Sequence, residues 1–168
     1  LWIFTIDYLR QQKNIHHLLY VYNTANFSSE AEFLERYPGD AYVDVLSFDQ
    51  YQHEAKEQKT AFIQSMRTKL SMLAAITTAK NKLAALAETG FESVPDTSWW
   101  TGTLWPVLKD FSLSYVLVWR NHGYMPSTKK MHFYAPYKGQ QSAEDFRKFY
   151  RNPKLLFEKK LKSKQLYN

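Results

Sequence analysis

Four short apolar runs, separated by segments of helical periodicity, constrain this chain more than any other feature. His16 to Asn23 (HHLLYVYN), Tyr42 to Tyr51 (YVDVLSFDQY), Leu83 to Glu88 (LAALAE) and Tyr115 to Asn121 (YVLVWRN) read as strands. Trp2, Ile6 and Leu9 mark one face of a helix before the first run. Ser28-Ser29 with Glu32 forms a capping-box pattern for a short helix, and Pro38-Gly39-Asp40 turns the chain after it. From Thr60 to Lys80, Phe62, Met66, Leu70, Leu73 and Ile76 recur at helical spacing. Ser98 to Lys109 reads as helical, with Pro106 a kink or break. Ser142 with Asp145 opens another helix. Asn152-Pro153 fits an N-cap followed by Pro at the first position of a basic C-terminal helix.

Apolar strands alternating with helices predict a parallel sheet covered by helices. Four such units in 168 residues take about forty residues each, against roughly thirty in an eight-unit barrel of about 250 residues. A small doubly wound sheet is the other fold of this kind. No Gly-rich phosphate loop follows any strand, which argues against its nucleotide-binding version.

A chain of 168 residues is long enough for one domain with a sizeable core. It starts at Leu1 and is helical almost at once, which suggests a piece cut inside a domain. It holds no cysteine, so thiol and disulfide chemistry are excluded. Much of the net charge of +6 comes from Lys154, Lys159, Lys160, Lys162 and Lys164. With no nucleic-acid motif beside them, these read as a solvated helix face, and no nucleic-acid partner is expected. No apolar run reaches the length of a membrane span. Aromatic residues make up 17% of the chain, which suits either a large core or a cleft that stacks sugar rings.

Polar residues fall at the same place on every predicted strand. The first ends in Tyr22-Asn23, the second in Asp49-Gln50-Tyr51, the third in Glu88 and the fourth in Trp119-Arg120-Asn121. A parallel sheet carries all four ends to one edge, where barrel enzymes build their sites. Strict alternation puts Asp49 and Tyr51 on one face of their strand. It puts Glu88 on a face with Ala84 and Leu86, leaves Ala85 and Ala87 as small residues beneath a helix, and makes Thr89-Gly90 the turn that ends the strand. Trp119 and Arg120 then point to opposite faces. Taken singly, each residue has an ordinary explanation. Glu88 could pair with Arg120, Asp49 could cap the next helix, and Tyr51 and Trp119 could be core aromatics. Four strand ends with the same character point to a site instead. His16 and His17 point apart, and His53, His122 and His132 show no ligand spacing, so neither metal nor cofactor is expected.

Three pieces together resemble glycoside hydrolase family 26, the endo-β-1,4-mannanases. They are Tyr37 to Gln52 (YPGDAYVDVLSFDQYQ), Ala87-Glu88-Thr89-Gly90, and Val118-Trp119-Arg120-Asn121 followed by His132 to Tyr137 (HFYAPY). The resemblance implies a (β/α)8 TIM barrel, with residues 1–168 as its C-terminal half: the helix after strand four, then strands five to eight. The N-terminal half of the barrel is then a missing partner. The resemblance also implies that Glu88 is the nucleophile on strand seven. Asp49 and Tyr51 would sit beside it at the end of strand six, with Tyr51 orienting the carboxylate, and Trp119 and Arg120 would contact the sugar. Hydrolysis would be retaining, with two carboxyl groups about 5–5.5 Å apart. The substrate would be a mannan-type polysaccharide or oligosaccharide, which favours a secreted or cell-envelope protein.

The family's acid/base is a Glu in a His-Glu motif at the end of strand four. The His-Glu pair here, His53-Glu54, follows strand six and does not match. The chain alone is therefore expected to be inactive, lacking a step worth about two to four orders of magnitude, and prone to associate. Two alternatives stand beside this reading: a carbohydrate-binding protein without turnover, and a related β-glucanase or β-xylanase.

Overall fold

Four parallel strands lie side by side in the order in which the chain makes them. The computed structural model describes residues 1–53, 58–162 and 164. β1 (Val21–Thr24), β2 (Val45–Gln52), β3 (Leu83–Phe91) and β4 (Val116–Val118) pair as β1-β2-β3-β4. A doubly wound sheet reverses its strand order at a switch point, and this sheet does not. Successive βα units laid down in one direction form an arc of a (β/α) barrel, the fold class expected from the sequence. Among the described residues, β1 pairs only with β2 and β4 only with β3, so both outer edges are open.

The helices are α1 (Trp2–Asp7), extended by a π-helical turn over Tyr8–Gln12, α2 (Glu30–Leu34) and α3 (Lys59–Lys80). They continue with α4 (Trp105–Leu108), α5 (Ala143–Arg151) and α6 (Glu158–Lys162). No helix among the described residues is long and apolar enough to cross a membrane. A hairpin not foreseen from the sequence, β5 (Gly123–Met125) and β6 (Lys130–His132), follows β4.

Local chemistry explains most of these elements. The capping box of α2 is present: Ser29 Oγ accepts the Glu32 N–H at 3.1 Å, and Glu32 accepts the Ser28 N–H and hydroxyl at 2.7 Å each. Phe62, Met66, Leu70, Leu73 and Ile76 are buried on α3 and share one core with Leu46 and Phe48 of β2 and Leu86 of β3. Each such side chain contributes about 1.5–3 kcal/mol on burial. Asn81, in the left-handed region at φ 52°, closes α3.

Several expectations need correction. The first strand starts at Val21, not His16, because β2 offers a pairing partner only from Val45 onward, opposite Val21. Asp40–Tyr42 form a 3-10 turn, so the second strand starts at Val45 rather than Tyr42. The fourth strand is confined to Val116–Val118, paired on one side only. Pro106 does not break its helix. A π-helical turn over Trp100–Leu104 leads directly into α4, a way of absorbing the hydrogen bond that proline lacks.

Asn152 ends α5 rather than starting a helix. Its side chain accepts the Lys154 N–H at 3.0 Å in a local turn, and α6 begins only at Glu158. Ser142 and Asp145 open α5 without capping it. Asp145 instead accepts the Thr101 N–H at 3.0 Å and the Thr101 hydroxyl at 2.5 Å, and Trp100 Nε1 donates to Ser142 Oγ at 3.1 Å. These bonds tie α5 to the π-helical turn. Glu54 of the His-Glu pair lies outside the described residues.

The largest correction concerns β3. Thr89-Gly90 does not end it. The strand runs to Phe91, with Gln50, Tyr51 and Gln52 of β2 opposite Thr89, Gly90 and Phe91. Its register slips by one residue: Phe48 faces Leu86, but Asp49 faces Glu88. Ala87 is the extra residue, a β-bulge. Before the bulge, Ala84 and Leu86 join the core beneath α3, and after it Phe91 does. Ala84 and Leu86, rather than Ala85 and Ala87, are therefore the residues that pack against the helices. Glu88 does not share their face.

Candidate active site

The bulge decides where Glu88 points. On β2, Leu46 and Phe48 lie in the core, and Gln50 continues their face, bonding Ser65 and Lys69 of α3. Asp49 and Tyr51 are on the opposite face by alternation, as expected. Strict alternation on β3 would have put Glu88 with Leu86, against the apolar core. The inserted Ala87 turns Glu88 over to join Asp49 and Tyr51. The Tyr51 hydroxyl donates to Glu88 Oε2 at 2.7 Å.

Asn23, at the end of β1, extends the cluster. The Ser47 hydroxyl donates to Asn23 Oδ1 at 2.9 Å, which orients the amide. Asn23 Nδ2 then donates to Asp49 Oδ2 at 2.9 Å. The second oxygen of Asp49, Oδ1, is buried without a hydrogen-bond partner among the described residues. Asp49 therefore serves neither as a cap for α3, whose N-cap is Gln58, nor as part of a closed ion pair. Three adjacent strand ends supply Asn23, Asp49, Tyr51 and Glu88 to one face of one edge.

The electrostatics follow from burial. Burial pushes the Asp49 carboxyl above its ordinary value, and the negative charge of Glu88 adds to that; the Asn23 amide opposes it. Burial first, and then the bond to Glu88, push the Tyr51 phenol far above its ordinary value. Tyr51 therefore keeps its proton and remains a donor to Glu88. Tyr115 is raised by burial and by Asp49. Tyr134 is raised by burial and by the charges of Glu92 and Glu88.

Trp119 and Arg120 take different places. The Trp119 N–H donates to the Thr89 carbonyl at 3.0 Å, which fixes this half-buried residue beside the residue after Glu88. Arg120 is exposed, its guanidinium 5.9 Å from the centre of the Trp119 ring. Among the described residues no ion pair joins Arg120 to Glu88, so the pairing weighed from the sequence is absent. His122 and His132 lie with ring centres 6.4 Å apart, but no group of three potential ligands occurs among the described residues. Sequence reasoning missed the part played by Gly90 and Tyr134. An ideal Cβ at Gly90 would lie 2.4 Å from Tyr134 Cδ1, so glycine is there for close approach and not for a turn. No spacing rule links two residues so far apart in the chain.

Comparisons with known proteins identify the family to which this chain belongs. The model of glycosyl hydrolase family 26 matches residues 1–103, a span that includes Asp49, Tyr51 and Glu88 but not Trp119 or Arg120. The chain is similar to a mannan endo-1,4-beta-mannosidase of Bifidobacterium adolescentis, 28% identical over 163 residues, covering 89% of this chain and 16% of that protein. Among solved structures, a GH26 beta-mannanase from Bacteroides ovatus is 45% identical with a TM-score of 0.82, over 93% of this chain and 43% of that one. The catalytic domain of an endo-beta-1,4-mannanase from Bacillus sp. JAMB-750 is 27% identical with a TM-score of 0.84, over 99% of this chain and 46% of that one. The chain thus spans less than half the length of each of these relatives.

Proposed function

The chain belongs to glycosyl hydrolase family 26, and on that premise we propose that residues 1–168 are the C-terminal half, strands five to eight, of a retaining β-1,4-mannanase barrel. Glu88 is its nucleophile. One observation carries this reading: at the C-terminal edge of a parallel sheet, a bulge turns a carboxylate away from the core and onto a tyrosine hydroxyl 2.7 Å away. A nucleophilic carboxylate must be ionised and held in line. A donor that keeps its own proton supports both needs.

Retaining hydrolysis uses two carboxyl groups about 5–5.5 Å apart. Glu88 attacks the anomeric carbon and forms a glycosyl-enzyme. A second carboxylic acid protonates the departing oxygen and then, as carboxylate, takes a proton from the water that releases the sugar. Asp49 lies on Asn23 and opposite Glu88 in register, so it is a neighbour of the nucleophile and not a group across the cleft. On this reading the acid/base comes from outside this chain. Asp49, whose Oδ1 is buried with no hydrogen-bond partner among the described residues, lies beside the nucleophile at the floor of the sugar site. Trp119 offers a ring face to the sugar, and Arg120 offers its donors. The names of the relatives supply mannan as the polymer. Because polysaccharides do not cross membranes, the protein works outside the cell or in its envelope.

The test uses the full-length protein that carries this chain. On soluble mannan it releases oligosaccharides faster than on mixed-linkage glucan or xylan, and Glu88→Ala abolishes release. A 2-deoxy-2-fluoro-mannosyl reagent leaves a covalent adduct on the peptide that contains Glu88. Binding of mannan with no hydrolysis would favour a carbohydrate-binding protein. Preferred hydrolysis of glucan or xylan would keep the nucleophile but overturn the substrate.

A further inference from the structure

We infer that Tyr134 is a positioning residue for the nucleophile: clamped by Asn121 above Gly90, its ring backs the ring of Tyr51 and so holds the Tyr51 hydroxyl on Glu88. This inference rests on the proposal that Glu88 is the nucleophile.

The clamp is made of backbone and one amide. Asn121 follows β4 and binds the segment carrying Tyr134 three times. Its Oδ1 accepts the N–H groups of Tyr134 at 3.0 Å and Ala135 at 2.9 Å, and its Nδ2 donates to the Ala135 carbonyl at 2.8 Å. The Ser93 N–H donates to the Phe133 carbonyl at 2.8 Å, which ties the same segment to the loop after β3. Tyr134 is left only 8% exposed.

The ring is enclosed on three sides. Below it is Gly90, with no room for a Cβ. On one flank is Tyr51, ring centres 5.4 Å apart at 60°. On the other is His132, 5.3 Å away and edge-on, itself held by Glu92 Oε1 at 2.9 Å from Nδ1. Tyr51 pairs in register with Gly90, so a side chain at position 90 would strike the ring that supports it.

Tyr51 needs such support. Among the described residues its other aromatic neighbour is His53, 5.5 Å away and exposed. A tyrosine hydroxyl sits at the end of a long lever, and a small rotation of the ring misaligns the bond, which weakens steeply with angle. Tyr134 has no hydrogen bond to Glu88, so it acts through Tyr51.

The test compares variants of the full-length protein by the pH profile of kcat/KM on mannan. Among the described residues, the titratable groups that face Glu88, Tyr51 and Tyr134 are Asp49 and His53 from β2 and its end, and Glu92 and His132 from the segments beyond β3 and β4. Tyr134→Ala lowers kcat/KM about tenfold, chiefly through kcat, and moves the acid limb up by roughly one pH unit, as Tyr51→Phe does. Tyr134→Phe, which keeps the ring, restores both. Gly90→Ala reproduces the Tyr134→Ala profile, yet adds little in the Tyr134→Ala background, because the clash is gone.

An acid limb unmoved in Tyr134→Ala, or an equal cost of Gly90→Ala in both backgrounds, would overturn the inference. If Tyr134→Ala does not fold, Asn121→Ser releases the same segment and must give the same shift. Hydrolysis that survives Glu88→Ala would instead sink the assignment of the nucleophile, a separate failure.

Discussion

Tyr51 reaches Glu88 diagonally across β2 and β3: in register Glu88 faces Asp49, while the Tyr51 hydroxyl lies 2.7 Å from Glu88 Oε2. The diagonal works because the tyrosine is long enough to span one pair of residues along the strand. It leaves Asp49 directly opposite the carboxylate, raised first by burial and further by that charge.

Removing only the hydroxyl tests that diagonal. Tyr51→Phe in the full-length protein lowers kcat/KM on mannan by about tenfold to a hundredfold, the weight of a hydrogen bond to a charged group at about 1.5–3 kcal/mol. The melting temperature changes little, since Tyr51 is half-buried and the ring stays. Steady-state kinetics and a thermal melt on the same preparation check both halves.

Deleting Ala87 removes the bulge. Residues beyond it slide back into strict alternation, and Glu88 turns toward Leu46, Phe48 and α3. Hydrolysis is lost. A carboxylate forced into that core is raised above its unfolded value by burial. Its unfavourable effect is absent below the unfolded carboxylate range and grows as pH rises through the raised value. The deletion variant therefore gains stability relative to wild type as pH falls from 7 toward 5. Melts across that range decide the matter; a pH-independent deficit would mean that the bulge had moved elsewhere.

Alkaline pH tests the phenols that the fold holds protonated. Tyr22, Tyr37, Tyr51, Tyr115 and Tyr134 are all raised, burial being the first cause in each. A folded value above the unfolded one means that the native state keeps protons the unfolded chain loses. Stability is then complete below about pH 10 and falls as pH rises beyond it. Thermal melts from pH 9 to 11.5 should decline, and Tyr22→Phe should decline less steeply, though from a lower starting point because the Tyr22 bond to the Phe33 carbonyl is gone.

The 168-residue chain by itself hydrolyses no mannan and associates. On the proposed assignment it brings one of the two carboxyl groups that retaining hydrolysis needs, and among the described residues β1 and β4 each leave a row of backbone groups unpaired. Reducing-sugar release and light scattering on the purified chain check the two expectations. Hydrolysis abolished by Glu88→Ala in the isolated chain would show that an acid/base is present after all.

The order of strands and helices was legible because burial on both faces leaves near-continuous apolar runs, as at Leu83 to Ala87. The polar strand ends were legible for the same reason, since they interrupt those runs. The capping box at Ser29 and Glu32 was legible because its partners are three residues apart. The extent of β1 and β4 was not, because a strand ends where its neighbour stops offering hydrogen bonds.

The sequence by itself determined that Glu88, Asp49 and Tyr51 would come to one edge, since a parallel sheet leaves no other place for strand ends. Tertiary structure alone decided which way Glu88 faces and what holds it. Alternation from Ala84 aims Glu88 at the core, and only pairing with β2 reveals that Ala87 is unpaired. Gly90 looks like a turn until Tyr134 is seen above it. Register and ring contacts are relations between distant segments, and no local pattern encodes them.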